Sequence, residues 1–385
     1  MIFQLFEKIL VKIISAVATL ILALGIVGAN PTVEYAVPFN KAAQKTADEI
    51  TTATTSQKIA EPEAKKKILP ASPAENSPLP VEQKQEEPEL PALTQTPVIS
   101  LTELNGKTRK TIVNIFCGNQ GGALVQGITG SGVIISPKGV ILTNAHIGQY
   151  LLLENSPASG YLNCQIRNGN IAEPAYDAKL IYIPSVWVEE NIDNIVISGA
   201  KGTGQNDYAF LLIDKSAVKG KELPQTFDFT EPNFEFNMLP FNFSTLVASY
   251  PAGLLGADAV LKNLGLISTF APITELFTFD EKGLSLLDIF ALGGNIASQG
   301  GSSGGAVVNT IDGKLLGIIT TSSEATTTAK RTLYAITLPY IKRSFETYTE
   351  KNIAWFLENP TDYNLLPANE FDRLKELLLK RLEKK

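Results

Sequence analysis

Residues 130–147 read GSGVIISPKGVILTNAHI, and this stretch indicates the fold class more clearly than any other. Two short apolar runs, GVIIS and GVILT, flank a Pro137-Lys138-Gly139 turn, which is a hairpin signal. Similar runs recur along the chain, bounded by glycine, proline, asparagine or aspartate. They are TIVNIFC, LNCQIR, AKLIYI, DYAFLLI, STLVASY, AVLKNLGLIS, GGAVVN, KLLGIIT and TLYAIT. Short strands at regular spacing are typical of β-barrels and β-sandwiches, so we predict an all-β fold.

The number of runs predicts two barrels. About a dozen strands are too many for one small barrel, and they divide into about residues 107–216 and about residues 218–338. Helical periodicity appears only after Leu338, in PYIKRSFETYTEKNIAWFLE and in ANEFDRLKELLLKRLEKK. We therefore predict C-terminal helices, with residues 351–385 as a helical extension.

The N-terminal residues predict a membrane or export segment. Lys8 and Lys12 precede a mostly apolar run from Ile13 to about Ala29, whose length lies between that of a signal-peptide core and that of a membrane span. Residues 1–30 are therefore an uncleaved transmembrane anchor or a signal peptide, with a buried helix of a soluble domain as a third alternative. The anchor would hold the chain on the extracytoplasmic side of the cell membrane, and cleavage would release it to the secreted or periplasmic space.

Residues 31–106 have the composition of a disordered, proline-rich linker. The part up to Leu104 contains ten prolines and no glycine. Such a segment cannot bury enough apolar surface to offset its ordering entropy, and its prolines make it extended. We expect a stalk, with a short helix around AAQKTADEI as its one regular element.

The composition excludes several classes of site. A formal net charge of −6 indicates no basic surface for nucleic acid, so we expect no nucleic-acid partner. His146 is the single histidine, which excludes a multi-histidine zinc site. The two cysteines are too few for a four-cysteine metal site. We expect neither a metal nor another cofactor.

A glycine-rich turn raises the question of nucleophilic chemistry. Residues 299–309 read QGGSSGGAVVN, which places Ser302 and Ser303 between glycines and before an apolar strand. Such a turn can present one hydroxyl at a site if a base lies nearby. His146 follows the strand GVILTNA, where we expect it to enter a loop, and Asp207 begins the strand DYAFLLI. Taken singly, His146 is better explained as a core or surface ring, and Asp207 as a turn or strand-start aspartate.

Taken together, the motifs resemble those of the chymotrypsin-like (trypsin-like) serine proteases. TNAH with His146, DYAFLL with Asp207 and GSSGG with Ser303 follow the chain order of that family. With GSGVII they are most similar to the HtrA/Deg branch, over about residues 107–350. The resemblance implies a trypsin-like serine protease domain of two six-stranded antiparallel β-barrels with the active site between them. It also implies that Ser303 is the nucleophile, His146 the general base and Asp207 the acid that orients the imidazole.

The resemblance implies further site residues. The backbone N–H groups of Gly301 and Ser303 would form the oxyanion hole. Ala297, six residues before the nucleophile, would lie at the base of the specificity pocket. The pocket wall would come from three strand residues, Thr320, Thr321 and Ser322. An uncharged base favours small or medium apolar side chains before the scissile bond.

Other features depend on the same resemblance. Cys117 and Cys164 would lie in the first and fourth strands of a barrel, either as a disulfide or as two buried free thiols. Ser302 replaces the aspartate that pairs with the new N-terminus in digestive relatives, so we expect loop ordering to control activity instead of zymogen cleavage. The residues after Phe345 are too few for the PDZ domain usual in HtrA-type enzymes.

The end of the chain predicts an amphipathic helix. Apolar residues recur there at spacings of three and four, namely Phe371, Leu374, Leu377, Leu378 and Leu382. We expect this helix to pack against a barrel, with self-association or contact with a membrane surface as alternatives.

These features together predict an exported serine endopeptidase that cleaves protein or peptide substrates through an acyl-enzyme intermediate. Residues 1–30 would connect it to the membrane, and homo-oligomerisation is an open alternative to a monomer. A rival from another class is a membrane-anchored, catalytically inactive protease-like domain that binds peptides or partners. A third interpretation, a purely structural pair of barrels, leaves the coincidence of the motifs unexplained. The complete triad favours the enzyme.

Overall fold

The structure, a computed structural model, describes the following ranges. They are residues 99–119, 128–156, 162–196, 204–253, 255–279, 286–323, 331–361, 365–367 and 369–384. The predicted anchor or signal peptide, the stalk up to residue 98 and the short helix predicted at residues 42–50 lie outside these ranges. Within them, no helix is long and apolar enough to cross a membrane.

Six antiparallel strands form the first barrel. They are β1 (Ile112–Asn119), β2 (Ile128–Ile134), β3 (Val140–Thr143), β4 (Leu162–Asn168), β5 (Glu173–Tyr182) and β6 (Ala209–Ser216). They close in the order β1-β2-β3-β6-β5-β4. The Pro137-Lys138-Gly139 turn joins β2 to β3, as its hairpin pattern predicts.

The second barrel repeats this strand order. Its strands are β7 (Ser244–Ser249), β8 (Ile267–Phe277), β9 (Ile289–Leu292), β10 (Ala306–Asn309), β11 (Leu315–Ser322) and β12 (Leu333–Thr337). They close in the order β7-β8-β9-β12-β11-β10, again antiparallel throughout. Two closed six-stranded antiparallel barrels confirm the predicted architecture, which is that of the chymotrypsin-like fold.

The unbroken apolar runs of the sequence have a structural reason. Successive residues of a strand point to opposite faces, and several strands are buried on both. In β3, Ile141 lies in the interior of the first barrel, whereas Val140 and Leu142 join a cluster that includes residues of both barrels. In β6, Leu211 likewise lies in the interior of the first barrel, whereas Phe210 joins the cluster that includes residues of both barrels. The seam between the barrels is therefore itself a hydrophobic core.

The second barrel begins later than its predicted start near residue 218. The first strand, β7, starts at Ser244, and residues 217–243 connect the barrels. This connection is tied to both of them by backbone hydrogen bonds. The N–H of Phe227 donates to the carbonyl of Pro137 at 3.0 Å, and the N–H of Leu315 donates to the carbonyl of Glu231 at 2.8 Å.

A disulfide between Cys117 and Cys164 lies within the first barrel. The register of β1 and β4 places the two residues directly opposite each other. Cys117 is fully buried, and both cysteines belong to the apolar cluster of the first barrel. The antiparallel pairing of distant strands thus brings together two side chains that are 47 residues apart.

Helix α1 (Leu101–Thr111) corrects the predicted end of the stalk. The helix starts at Leu101, inside the segment predicted as linker up to residue 106. Its start is capped by Ser100, whose hydroxyl accepts from the N–H of Glu103 at 3.2 Å. Leu104 is buried in the cluster between the barrels. Its burial explains why this part of the segment is ordered although the preceding composition is that of a linker.

Three further helices lie between strands of the barrels. They are α2 (Ala145–Leu152), α3 (Ser185–Glu190), which is followed by a 3₁₀ turn at Ile192–Ile195, and α4 (Ala257–Lys262). Helix α2 directly follows β3 and contains His146. The expectation that His146 enters a loop was therefore wrong, because the chain turns helical two residues after the strand ends at Thr143.

The C-terminal helices are α5 (Leu338–Thr349), α6 (Ile353–Glu358) and α7 (Glu370–Glu383). The stretch predicted as one helical region is split at Glu350, whose φ of 56° is left-handed. Phe345 of α5 and Phe356 of α6 have ring centroids 5.0 Å apart and pack in the seam between the barrels.

The last helix packs on the first barrel, which confirms the expected packing. Leu374, Leu378 and Leu382 are buried in the apolar cluster of that barrel. Arg373 adds an ion pair with Glu189 of α3 at 2.6 Å.

Candidate active site

Asp207 holds His146 at two atoms. Carboxylate oxygen Oδ2 of Asp207 lies 2.8 Å from Nδ1 of the imidazole, and Oδ1 accepts from the backbone N–H of His146 at 2.9 Å. The carboxylate is an acceptor, so Nδ1 carries the proton and Nε2 is left free to accept one. The Asp207 side chain is 4% exposed and that of His146 is 23% exposed, so the carboxylate is buried while part of the ring is open to solvent.

The buried carboxylate has a further donor from the second barrel. The hydroxyl of Thr320 donates to Oδ2 of Asp207 at 2.9 Å. The side-chain amide of Asn144 also donates to the backbone carbonyl of Asp207, at 2.9 Å. Burying a charge is costly unless it is hydrogen-bonded, and the donors of Thr320 and His146 to the carboxylate reduce that cost, while Asn144 holds the backbone of Asp207. Thr320, predicted as pocket wall, thus directs its side chain to the aspartate.

Helix α5 holds the residue that precedes Asp207. Asn206 has a left-handed φ of 57°, and its N–H donates to the hydroxyl of Tyr340 at 3.0 Å. The Tyr340 hydroxyl in turn donates to Oδ1 of Asn206 at 2.9 Å, and the hydroxyl of Ser344 donates to the same oxygen at 2.8 Å. Burial raises the pKa of Tyr340, which keeps its hydroxyl protonated. The C-terminal helix therefore fixes the backbone from which Asp207 extends.

Ser303, in the second barrel, contacts the same threonine as Asp207. Its hydroxyl donates to the backbone carbonyl of Thr320 at 3.3 Å. Thr320 therefore contacts Ser303 through its backbone and Asp207 through its side chain. Through these contacts the structure connects Ser303, in the loop before β10, with Asp207, which precedes β6 and contacts His146 of α2, at the seam between the barrels.

Two glycines shape the turn around Ser303. Gly301 has a φ of 91°, and a Cβ there would lie 2.8 Å from the carbonyl oxygen of Tyr250. Gly304 has a φ of 83°, and a Cβ there would lie 2.0 Å from the carbonyl oxygen of Ser131. Both positions combine a left-handed conformation with a backbone approach that leaves no room for a side chain. The glycines of this loop therefore serve a constrained turn.

The peptide that precedes Gly301 is anchored on one side. The carbonyl of Gly300 accepts from the N–H of Ala252 at 2.7 Å and from the N–H of Gly253 at 3.0 Å. Because the C=O and N–H of a trans peptide point in opposite directions, the N–H of Gly301 points away from these donors. Neither the N–H of Gly301 nor that of Ser303 donates to an acceptor in the part of the chain that the structure describes. Both are available to an oxygen of a ligand.

The predicted specificity pocket is only partly open in the structure. Ala297 is fully buried and belongs to the apolar cluster inside the second barrel. Thr321 is also buried, whereas Ser322 is half-buried. Next to Ala297, the guanidinium of Arg331 donates to the carbonyl of Ser298 at 3.2 Å. This cation was not predicted, because the arginine is distant in sequence from Ala297.

Within the described ranges, no group of three or more histidine, cysteine, aspartate or glutamate side chains has the arrangement of a metal site.

No protein-family model matches the sequence, and no curated protein matches it. Several solved structures are similar in fold. The active form of the Rv3671c protease from M. tuberculosis is 18% identical, with a TM-score of 0.36, and the match covers 67% of this chain and 88% of that chain. Deg5 is 19% identical, with a TM-score of 0.40, and the match covers 63% and 90% of the two chains. The serine endoprotease from Yersinia pestis is 20% identical, with a TM-score of 0.38, and the match covers 64% of this chain and 65% of that chain.

Proposed function

We propose that this chain is a serine endopeptidase in which Ser303 is the nucleophile, His146 the general base and Asp207 the orienting acid. The observation that supports this function most is the hydrogen-bonded series from His146 through Asp207 and Thr320 to Ser303. It joins a base, a carboxylate and a hydroxyl from two separate barrels. A structural role for any one of these residues does not require the other two.

The first step would transfer the proton of the Ser303 hydroxyl to Nε2 of His146. In the free protein this hydroxyl donates to the carbonyl of Thr320, so it rotates toward the imidazole before it attacks. The oxygen then adds to the peptide carbonyl and forms a tetrahedral intermediate. Asp207 stabilises the imidazolium and holds its ring orientation, without taking the proton itself.

The oxyanion of this intermediate would accept from the N–H groups of Gly301 and Ser303. Each such donor commonly contributes about 3 to 4 kcal/mol to transition-state stabilisation. His146 then gives its proton to the leaving amine, which releases the first product and leaves an ester on Ser303. A water molecule, deprotonated by the same imidazole, hydrolyses the ester and restores the serine.

The substrates would be proteins or peptides with a small or medium apolar side chain before the scissile bond. The support is the uncharged Ala297 at the expected base of the pocket, set in an apolar cluster.

We also propose that the enzyme works outside the cytoplasm, attached to the membrane by residues 1–30. The disulfide between Cys117 and Cys164 supports an oxidising compartment, and the apolar N-terminal run supports export. Fractionation of cells that produce the full chain, followed by thiol alkylation, tests this placement. Protein in the membrane fraction with no alkylated cysteine is the expected result, and soluble cytoplasmic protein with two free thiols would contradict it.

An organophosphonate probe that forms an ester with activated serines tests the catalytic proposal. The full-length chain is compared with Ser303→Ala and with Ser216→Ala, whose serine ends β6 at the opposite end from Asp207. We expect labelling and cleavage of a fluorescent casein substrate in the wild type and in Ser216→Ala. Both signals should be absent in Ser303→Ala, although circular dichroism and the melting temperature are retained.

The other outcomes separate the rival functions. A wild type that folds but neither labels nor cleaves would support an inactive protease-like domain that binds peptides or partners. Labelling at Ser303 with no cleavage of any protein or peptide substrate would indicate a serine hydrolase of another class.

A further inference from the structure

Ser131 of β2 contacts the loop that carries Ser303 with both its backbone and its side chain. The N–H of Ser131 donates to the carbonyl of Ser303 at 2.7 Å, and its hydroxyl donates to the carbonyl of Gly301 at 2.8 Å. The same hydroxyl accepts from the N–H of Tyr250 at 2.9 Å. Ser131 is fully buried. One side chain of the first barrel therefore connects two segments of the second barrel.

These contacts converge on Gly301 and Ser303, the two residues whose N–H groups donate to no acceptor of the described residues. The Ser131 backbone fixes the carbonyl of Ser303, and its hydroxyl fixes the carbonyl of Gly301. The segment that follows Tyr250 supplies the donors that hold the carbonyl of Gly300. Ser131 thus constrains the Gly301 turn directly, and also through the segment that sets the direction of the Gly301 N–H.

Two further hydroxyl groups contact each other at the same turn. The hydroxyl of Ser249 lies 3.1 Å from the hydroxyl of Ser302, and both serines are buried. Ser302 occupies the place where digestive relatives have an aspartate paired with a new N-terminus. The turn is therefore fastened by hydroxyl groups and backbone amides.

We propose that Ser131 is a positioning residue that keeps the oxyanion hole formed in the absence of substrate, an inference that rests on the proposed peptidase function. It acts through Gly301 and Ser303 and does not contact the substrate. Its two side-chain hydrogen bonds are neutral, so the hole is held without an ion pair and without proteolytic activation. The hydroxyl stabilises the turn in the orientation that transition-state binding needs.

Replacement of Ser131 by alanine would leave the buried N–H of Tyr250 and the buried carbonyl of Gly301 without this partner. The loss of two such hydrogen bonds lowers the population of the correctly oriented turn, and we expect kcat to fall about tenfold or more. KM should change little, because ground-state contacts of the substrate backbone and side chains do not use the oxyanion hole.

The test compares full-length wild type, Ser131→Ala and the control Ser136→Ala. Ser136 follows the same strand, is buried, and its hydroxyl donates to the carbonyl of Leu357 at 3.0 Å, so this control removes a comparable hydrogen bond. Turnover is normalised to the number of sites that an organophosphonate can titrate. A peptide aldehyde inhibitor, whose adduct uses the oxyanion hole, is compared with the product peptide that carries the new amino terminus, which has no carbonyl group for the hole.

The expected result is a matched loss of kcat and of aldehyde affinity in Ser131→Ala, about tenfold or more, with unchanged product-peptide affinity. Ser136→Ala should keep the wild-type kcat and the wild-type aldehyde affinity. If Ser131→Ala retains the wild-type kcat, or loses product-peptide affinity equally, the positioning role is wrong. A Ser131→Ala chain that fails to fold would also overturn it, because Ser131 would then act on stability alone. If the wild type itself has no Ser303-dependent activity, the proposed function fails before this comparison begins.

Discussion

Replacing Gly304 by alanine should destabilise the protein by two separable effects. The φ of 83° at this position costs an L-residue about 1 to 2 kcal/mol. The added Cβ would also lie 2.0 Å from the carbonyl oxygen of Ser131 and 2.5 Å from the hydroxyl oxygen of Thr143. Either the turn or β2 must move, because the carbonyl oxygen of Ser131 is a backbone atom.

That movement would disturb two hydrogen bonds of the seam. They are the bond from the N–H of Ser131 to the carbonyl of Ser303 at 2.7 Å, and the bond from the hydroxyl of Thr143 to the carbonyl of Ser131 at 2.7 Å. Each is worth about 1 kcal/mol. Together with the backbone strain, we expect Gly304→Ala to lower the free energy of unfolding by about 3 to 4 kcal/mol.

Two other glycines separate the effects. Gly220 has a φ of 76°, but a Cβ added there would have no neighbouring atom within 4 Å, so Gly220→Ala should cost only the backbone strain of about 1 to 2 kcal/mol. Gly317 is not among the residues with positive φ, but a Cβ there would lie 2.3 Å from the carbonyl oxygen of Ile336. Gly317→Ala should therefore cost about 1 to 3 kcal/mol from overpacking alone.

Urea unfolding of the wild type and the three variants, followed by tryptophan fluorescence, measures these differences. The midpoints should fall most for Gly304→Ala, with slopes unchanged. If Gly304→Ala is no less stable than Gly220→Ala, this turn does not approach β2 closely in solution. The loop around Ser303 would then not be constrained by β2.

Two further predictions concern stability away from the loop. Reduction of the disulfide between Cys117 and Cys164, which are 47 residues apart, should lower the free energy of unfolding by about 2 to 5 kcal/mol; an unchanged urea midpoint after dithiothreitol would contradict it. Tyr340→Phe should cost about 1 to 3 kcal/mol because it removes a partner of the buried Asn206. The control Tyr348→Phe, on an exposed tyrosine of the same helix, should lie within about 0.5 kcal/mol of wild type, and equal effects of the two would contradict the role of Tyr340.

Local patterns predicted most of the strands. The runs GVIIS and GVILT correspond to β2 and β3 because apolar residues on both faces of a short segment suit a strand that is buried on both sides. The position of His146 in α2 was not predicted, since the helical turn after Thr143 depends on packing of α2 against the first barrel. The helix at residues 101–106 was not predicted either, because it depends on the burial of Leu104 between the barrels.

The candidate site was predicted by residue type and chain order, but not by its supporting contacts. His146, Asp207 and Ser303 were each marked by a local motif; in the structure His146 contacts Asp207, and Thr320 links Asp207 to Ser303. Thr320 was assigned to the pocket wall, whereas its hydroxyl donates to Asp207. Ser131 was part of a quoted motif but had no assigned role, because its partners Gly301 and Tyr250 are far away in sequence.

Residue types and their order along the chain were enough to predict the fold class, and they indicated one hydroxyl, one imidazole and one carboxylate for the proposed chemistry. Those predictions depend on the short apolar runs, on the local motifs and on the single histidine, which are local or compositional properties of the sequence. The groups that hold the site in place became known from the folded chain alone. The closure of two barrels with the same strand order brings β2, β6, β10 and β11 to one seam, and contacts across that seam join residues whose separation along the chain carries no local signal.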